Sequence, residues 1–204
     1  MDSTGQEILD WWLTSFDGDD RNLMVSMYSP LTLNVSITNS TVANGANPLI
    51  DHMAGLTRET AFYRLSSIAT WYSRPGYSHW AISFAKKAMG YAEYSTPILD
   101  RHFGLHNQCV VTYRWRDSVD GAFQAAVEAC EASVSIHEQA AVEAAAAFGQ
   151  VPAHHCFQQL RIIEEKRGNY ERAIQLCEMA KRGSWAGDWD KDIARLSRKK
   201  DKSA

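Results

Sequence analysis

The chain has 204 residues, of which 45% are hydrophobic and 22% charged, and its formal net charge is −3. This length is enough for one sizeable core or for an elongated array of small units. The composition is typical of a globular protein. The small negative charge argues against a nucleic-acid binder that relies on bulk electrostatics. No apolar stretch approaches the roughly 20 residues of a membrane span.

The N-terminal sequence MDSTGQEILDWWLTSF has neither a basic start nor a long apolar stretch, so it predicts no signal peptide and a cytoplasmic protein. Cysteines in that compartment are expected to stay reduced. Each of the four lies in an apolar helical context, where a free cysteine packs as a small hydrophobic residue. They are Cys109, Cys130, Cys156 and Cys177.

Residues 1–56 form an N-terminal segment whose patterns differ from those of the rest of the chain. Residues 7–16 carry apolar side chains at helical spacing, and DGDD at 17–20 is predicted to be a loop. Residues 31–37 alternate apolar and polar side chains, which is a strand pattern, and ANGANP then forms a turn. A single strand has no partner here. It therefore forms an edge or dimer contact, which leaves a homo-oligomer open, or tertiary packing overrides it.

From residue 57 the pattern is helical, and residues 57–204 are predicted to be one helical-hairpin repeat domain, in the same compact unit as the N-terminal segment. Thr57 is the predicted N-cap of a helix that ends near Tyr72. Further helices are predicted at about 77–92, 97–116, 121–136, 138–148, from Pro152 to Gly168, at 170–182, and from a cap at Asp188 into the tail.

The helical region contains an internal repeat. The sequence GNYERAIQLCEMA at 168 aligns with GAFQAAVEACEAS at 121, and a weaker copy begins at Gly76, so the spacings are 45 and 47 residues. In each copy a glycine is expected to end one helix in a left-handed turn. An aromatic side chain, such as Phe123 or Tyr170, is expected to fill the angle between the two helices. One such hairpin cannot bury its own apolar face, but stacked hairpins can.

These hairpins resemble the tetratricopeptide repeat family over roughly residues 60–182. The matching residues are Leu65, Ile68, Ala69, Tyr72, Gly76, Ala81 and Ala88 in the first unit, and Phe157, Leu160, Gly168, Tyr170, Ala173 and Ala180 in the last. The family repeats every ~34 residues, whereas an inserted helix lengthens the period here. Arg114 and Arg161 replace small residues of the family, and Asp117 and Glu164 replace aromatic ones. The C-terminal sequence also resembles the end of bacterial repeat-like proteins.

The resemblance implies an all-α fold of stacked antiparallel helical hairpins, a TPR-like α-solenoid with an irregular N-terminal segment. Large apolar residues of each first helix are expected to face the second helix. They are Leu65, Ile68, Ala69 and Tyr72, then Val110 and Tyr113, then Phe157 and Leu160. The opposite face of the first helices should then line a groove. The candidate binding residues are Tyr63, Gln108, Trp115, His155, Gln158, Glu165 and Lys166, accompanied by Ser66, Thr70, Val111 and Ile162.

The leading functional hypothesis is a non-enzymatic adaptor or scaffold that binds a protein or peptide and requires no cofactor, nucleic acid or membrane. An immunity-type protein that neutralises a toxin is an alternative, because it needs only the same kind of binding face. A small metal-dependent enzyme is another.

The sequence contains histidines that are compatible with such a metal site. His102 and His106 are four residues apart on one helix and share a face. With His154, His155 and Cys156 they are a possible zinc site, provided that the fold brings the two groups together. No spacing forces metal binding, so the sequence predicts packing or surface histidines and no metal. His155 and Cys156 point about 100° apart on a helix, which disfavours a catalytic pair, and no catalytic residue is predicted.

Overall fold

The structure is a computed structural model that describes residues 3–28 and 47–203. The described residues are folded into eleven α-helices and one short 3₁₀ helix and contain no β-strand. The predicted all-α class is therefore confirmed for this part of the chain. The strand pattern at 31–37 lies outside the described residues. None of the described helices is long and apolar enough to cross a membrane.

The α-helices are numbered in chain order. They are α1 (Thr4–Ser15), α2 (Gly18–Met27), α3 (Pro48–Ala54), α4 (Arg58–Tyr72), α5 (Ser78–Met89), α6 (Ile98–Arg114), α7 (Ala122–Ser135), α8 (His137–Phe148), α9 (His155–Lys166), α10 (Tyr170–Arg182) and α11 (Trp189–Asp201). The 3₁₀ helix, Ala92–Tyr94, lies between α5 and α6.

Helix α4 begins where the sequence predicts, at a capping box. The backbone N–H of Thr60 donates to Thr57 Oγ1 at 3.4 Å, and the backbone N–H of Thr57 donates to Thr60 Oγ1 at 3.1 Å. These reciprocal bonds satisfy amide groups that have no partner within the helix. The helix ends at Tyr72, so both predicted ends are confirmed.

The predicted loop at 17–20 is wrong, because these residues start helix α2. The Asp17 side chain accepts a hydrogen bond from the backbone N–H of Asp20 at 2.8 Å. Asp19 and Asp20 lie in the first helical turn, where negative charge interacts favourably with the helix dipole. The acidic residues therefore stabilise a helix start instead of breaking the chain into a loop.

The predicted start of α9 also differs from the structure, whereas α11 starts directly after Asp188, as predicted. Helix α9 begins at His155 and not at Pro152, because Ala153 first pairs with Ala186 in an isolated bridge. Asp188 occupies the N-cap position of α11, but its side chain makes no capping hydrogen bond. The carboxylate lies 3.9 Å from Lys191 Nζ instead.

The three copies of the repeat are three antiparallel hairpins, formed by α4 and α5, by α6 and α7, and by α9 and α10. Gly76, Gly121 and Gly168 lie between the paired helices with φ angles of 87°, 76° and 78°. Only glycine adopts this left-handed conformation without strain, so the predicted glycine turns are confirmed. Helix α4 packs on α6, and α7 packs on α9, while the inserted α8 packs on α6.

The N-terminal helices share a core with the first hairpin. The Tyr72 hydroxyl donates to the carbonyl of Met24 at 2.9 Å, and Trp71 Nε1 donates to the carbonyl of Met27 at 3.0 Å. Both acceptors lie in the last turn of α2; the Met24 carbonyl also accepts from the backbone N–H of Tyr28, whereas the Met27 carbonyl is at the helix end, where carbonyl groups lack partners within the helix. Aromatic residues of α4 therefore fix the position of α2.

The C-terminal helix α11 packs on α10 and is joined to α9 by ion pairs. Glu165 on α9 accepts hydrogen bonds from Arg195 and from Lys199, the latter at 2.8 Å. Arg161, also on α9, lies 3.4 Å from Asp192. Leu196 and Trp189 complete the contact by burying their side chains in the core of this half.

The predicted inward-facing residues are confirmed in the first and last hairpins and are wrong in the second. Leu65, Ile68, Ala69, Tyr72, Phe157 and Leu160 are buried. Val110 and Tyr113 are only partly buried, whereas the neighbouring Val111 and Cys109 are fully buried. Helix α6 contacts α4, α5, α7, α8 and α9, so its buried surface is wider than that of a helix in a regular repeat. The helix is also rotated about its axis relative to the orientation that the repeat pattern predicts.

Candidate functional site

Three residues predicted to line the groove lie in the interior. Gln108 is only 3% exposed, and its Nε2 donates to the carbonyl of Ala85 at 2.9 Å. Ser66 and Val111 are fully buried. Their assignment to an open surface is wrong, because it assumed the regular orientation of α6 and an open face on α4. In the structure these two helices pack on each other.

Two further predicted binding residues are held by contacts within the molecule. The Trp115 Nε1 donates to Ser73 Oγ at 3.1 Å, and the ring is partly buried against the first core. The Glu165 carboxylate is surrounded by cations. Its hydrogen bond with Arg195, assisted by Lys199, lowers its pKa to about 2. Both side chains stabilise the fold through these contacts.

The remaining predicted binding residues are at least partly accessible. Tyr63 is partly buried, with its ring centroid 6.2 Å from that of Phe103. His155 and Gln158 are partly buried on α9, and Lys166 is exposed at its end. The structure therefore leaves the side chains of four of the seven predicted binding residues at least partly accessible to solvent.

An open groove lies between α6 and α9, the first helices of the second and third hairpins. It has a volume of about 270 Å³ and is lined by Val110, Tyr113, Arg114, His155 and Gln159. His155 belongs to the predicted set. Val110 and Arg114 were missed because α6 is rotated about its axis. The rotation brings them to the positions that the repeat pattern predicted for Gln108 and Val111.

A second groove lies between α5, α6 and the turn that leads into α7. Its volume is about 240 Å³, and its walls are mostly apolar, with Lys86 and Asp120 among the lining residues. Met89, at the end of α5, is 48% exposed there. The sequence predicted no groove on the side of the second helices.

The core of the second half contains a cluster of three thiols. Cys109 on α6, Cys130 on α7 and Cys156 on α9 bring their Sγ atoms within 4.8 Å of one another. The Sγ atoms of Cys109 and Cys130 are 3.2 Å apart, and all three side chains are 0% exposed. Hydrogen bonds from Cys109 and Cys130 hold the pKa of the Cys156 thiol well below its usual range. The fourth cysteine, Cys177, is buried in the same core outside this group.

The fold brings together the two groups of histidines. The ring centroids of His102 and His154 are 4.7 Å apart, and those of His106 and His155 are 4.9 Å apart. Burial lowers the pKa of His102 to about 4 and that of His154 to about 3. Both are therefore neutral at physiological pH, which is the form of imidazole that binds metal ions or donates a single hydrogen bond.

His154 has an incomplete set of hydrogen bonds. Its Nδ1 accepts from the backbone N–H of Phe157 at 3.3 Å, so the proton of the neutral ring is on Nε2. That Nε2 is buried and has no hydrogen-bond partner among the described residues. A buried donor without an acceptor is unfavourable.

The thiol cluster was not predicted, although the sequence contains a signal for it. Cys109 and Cys156 are 47 residues apart, as are Cys130 and Cys177, and this is the spacing of the two stronger repeat copies. The cysteines therefore occupy equivalent positions in adjacent hairpins. That equivalence places them at helix contacts, where side chains from neighbouring units meet.

No known protein family, curated protein or solved structure is significantly similar to this chain.

Proposed function

We propose that this chain is a non-enzymatic adaptor or scaffold of the tetratricopeptide-repeat-like type, which binds a peptide segment of a protein partner. The proposed site is the groove between α6 and α9. It replaces the wider groove expected from the repeat pattern and retains His155 from that set.

The observation that supports the proposal is the unpaired amide of Gln159. This residue lines the groove, and its Nε2 is buried without a hydrogen-bond partner among the described residues. A buried amide donor left without an acceptor costs about 1–3 kcal/mol. When the Gln159 side chain turns toward the groove, the carbonyl of a bound peptide offers that acceptor, and the same amide group also accepts from a peptide N–H.

The other groove residues suit a peptide with one apolar or aromatic side chain next to an acidic one. Val110 and Tyr113 provide an apolar wall. Tyr113 is held by Arg116, whose guanidinium carbon lies 4.2 Å from the ring centroid. Arg114 is exposed and offers a planar cation that binds carboxylates in a bidentate manner. Tyrosine and arginine are residues that often dominate the energy of an interface.

Peptide selection followed by matched substitutions tests this proposal. The full chain is immobilised and used to select ligands from a random peptide display library, and the dissociation constants of the selected peptides are measured by fluorescence polarisation. Gln159→Ala and Tyr113→Ala are each expected to weaken binding about tenfold or more, as for residues at the centre of an interface. Peptides enriched in an acidic residue beside an apolar one are expected.

Two variants outside the groove serve as matched controls. Gln6→Ala, on α1, removes an exposed amide that is bonded to Asp10, and Tyr94→Ala removes an exposed aromatic ring. Both are expected to bind selected peptides as tightly as the parent. Failure to enrich any peptide contradicts a peptide-binding function. Equal binding by the Gln159→Ala and Tyr113→Ala variants places the site elsewhere and refutes the groove.

A further inference from the structure

The three thiols in the second core converge from three different helices. Cys109, Cys130 and Cys156 lie on α6, α7 and α9, in two adjacent hairpins. We propose that these three cysteines bind a single zinc ion, which ties the second hairpin to the third. The site is separate from the peptide groove and does not depend on the function proposed for it.

The distances between the sulfur atoms are close to those of a zinc site. Zinc binds thiolate sulfur at about 2.3 Å in tetrahedral geometry, so two of its sulfur ligands lie about 3.8 Å apart. In the structure the Cys109 and Cys130 sulfurs are 3.2 Å apart, and no pair in the cluster exceeds 4.8 Å. Shifts of about 1 Å or less at each sulfur, within reach of small side-chain rotations, produce the zinc geometry. A disulfide would require about 2.05 Å.

The chemistry of the neighbouring groups is compatible with the charge of such a site. Zinc binds the three cysteines as thiolates, with any remaining thiol protons released to solvent, so that three thiolates around Zn²⁺ leave one net negative charge. The unpaired Nε2–H of His154, two residues before Cys156, is a donor suited to a thiolate acceptor in this buried region. Ser133 Oγ lies 3.4 Å from His102 Nδ1 and is buried on α7, the helix that carries Cys130. Hydrogen bonds to the ligands are a regular part of metal sites.

Zinc requires a fourth ligand, and imidazoles lie on the same side of α6 as Cys109. His102 and His106 precede Cys109 by seven and three residues, so all three share a helical face. His102 is buried and His106 is partly buried, and neither ring nitrogen lies within 4.8 Å of all three sulfurs. An imidazole from this pair, brought to the ion by rotation of its side chain, completes a set of three cysteines and one histidine, which is a common composition of structural zinc sites. The complete burial of the thiols favours a structural role for the ion over a catalytic one.

The measurement is the zinc content and zinc affinity of the full chain, purified under reducing conditions after expression with added zinc. One zinc per chain is expected by mass spectrometry of the dissolved metal. Cys130→Ser is expected to lower the zinc affinity by more than about a hundredfold, since even the loss of groups behind the ligands costs 10–100-fold. Cys177→Ser is the matched control. Cys177 is equally buried in the same core, in the equivalent position of the next hairpin, and its replacement is expected to leave zinc binding unchanged.

A second measurement does not depend on a folded variant. Cobalt(II) is added to the metal-free parent protein, and the intensity of the sulfur-to-cobalt charge-transfer band gives the number of thiolate ligands. Three thiolates and a tetrahedral visible spectrum are expected. The proposal is overturned if the parent protein binds no zinc, binds copper in its place, or still binds zinc as the Cys130→Ser variant. A protein mass two units below that of the reduced chain, which indicates a Cys109–Cys130 disulfide, also overturns it.

Discussion

The two halves of the molecule are filled by different kinds of side chain. The first core is rich in aromatic residues, among them Trp12, Phe16, Tyr28, Phe62, Tyr72, Trp80, Phe84 and Tyr91. The second core has fewer aromatic residues, Phe157, Trp185 and Trp189, and it contains all four cysteines and several alanines, including Ala140, Ala173 and Ala180. Helix α6 borders both, because Leu105 and Val111 pack in the first core and Cys109 packs in the second.

This difference shows how one repeat pattern is stabilised in two ways. Large rings bury much surface per residue and recruit the N-terminal helices to the first hairpin. Small side chains allow the helices of the second half to approach closely, which brings thiols and imidazoles together. The helices at the two ends are also held differently. Hydrogen bonds donated by aromatic side chains hold α2, whereas ion pairs hold α11. The following changes test this contrast, beginning with the largest expected effect.

Phe62→Ala is expected to be the most damaging of these changes. The ring is fully buried and contacts Gly104 so closely that a Cβ there would lie 2.4 Å from Phe62 Cε1. Its removal leaves a cavity, and we expect a loss of about 3–5 kcal/mol in the free energy of unfolding, measured with chemical denaturant. The control Phe148→Ala removes a ring that is 53% exposed and is expected to change stability little. A loss below about 1 kcal/mol for Phe62→Ala contradicts the aromatic core.

Ala173→Leu tests close packing in the second core. Ala173, on α10, is fully buried, and a larger side chain there is expected to overpack the third hairpin and cost about 1–3 kcal/mol. The same substitution at Ala146, which is exposed on α8, is the control. A melting curve for Ala173→Leu that matches the parent shows that the helices are not closely packed at this position.

Tyr72→Phe removes only the hydroxyl that bonds the carbonyl of Met24. Since the backbone N–H of Tyr28 also donates to this carbonyl, the acceptor keeps a partner and the expected loss is about 1 kcal/mol. Neutral groups form this bond, so the loss is expected to be the same at low and high salt. A strong dependence on salt contradicts the assignment of this contact to a hydrogen bond between neutral groups.

Glu165→Gln is expected to have the smallest effect, about 0.5–1 kcal/mol, because the ion pairs with α11 are partly solvated. The effect should shrink with added salt. The Glu165 pKa is lowered from 4.5 to about 2, so its stabilisation is fully present above about pH 4.5 and is lost as the pH falls through about 2. The difference in unfolding free energy between variant and parent should shrink over that range. The exposed Glu143→Gln is the control, and a difference constant with pH contradicts the network.

The helices were largely predictable from sequence because local signals determine their ends. Thr57 caps α4, and glycines with positive φ separate the helices of each hairpin. Errors arose where one residue type has two roles. The acidic residues at 17–20 were predicted to form a loop but form the start of α2. Pro152 was predicted to start a helix but precedes the bridge between Ala153 and Ala186.

The site was less predictable, because the orientation of a helix depends on all the helices that it contacts. The repeat pattern gave α6 one buried face, whereas the structure buries it against two cores. Gln108 and Val111 are therefore interior, and Val110 and Arg114 line the groove. The thiol cluster depends on side chains from three helices, which no local spacing reveals. Only the 47-residue repeat of the cysteines indicated that they occupy equivalent contacts.

The central claim is that the second half is organised around three converging thiols that bind zinc. X-ray absorption at the zinc edge of the purified parent protein tests it most directly, because it reports the number, type and distance of the atoms bound to the metal. We predict three sulfur atoms at about 2.3 Å and one nitrogen at about 2.0 Å. A protein that retains no zinc, or a first shell of only oxygen and nitrogen, contradicts the claim.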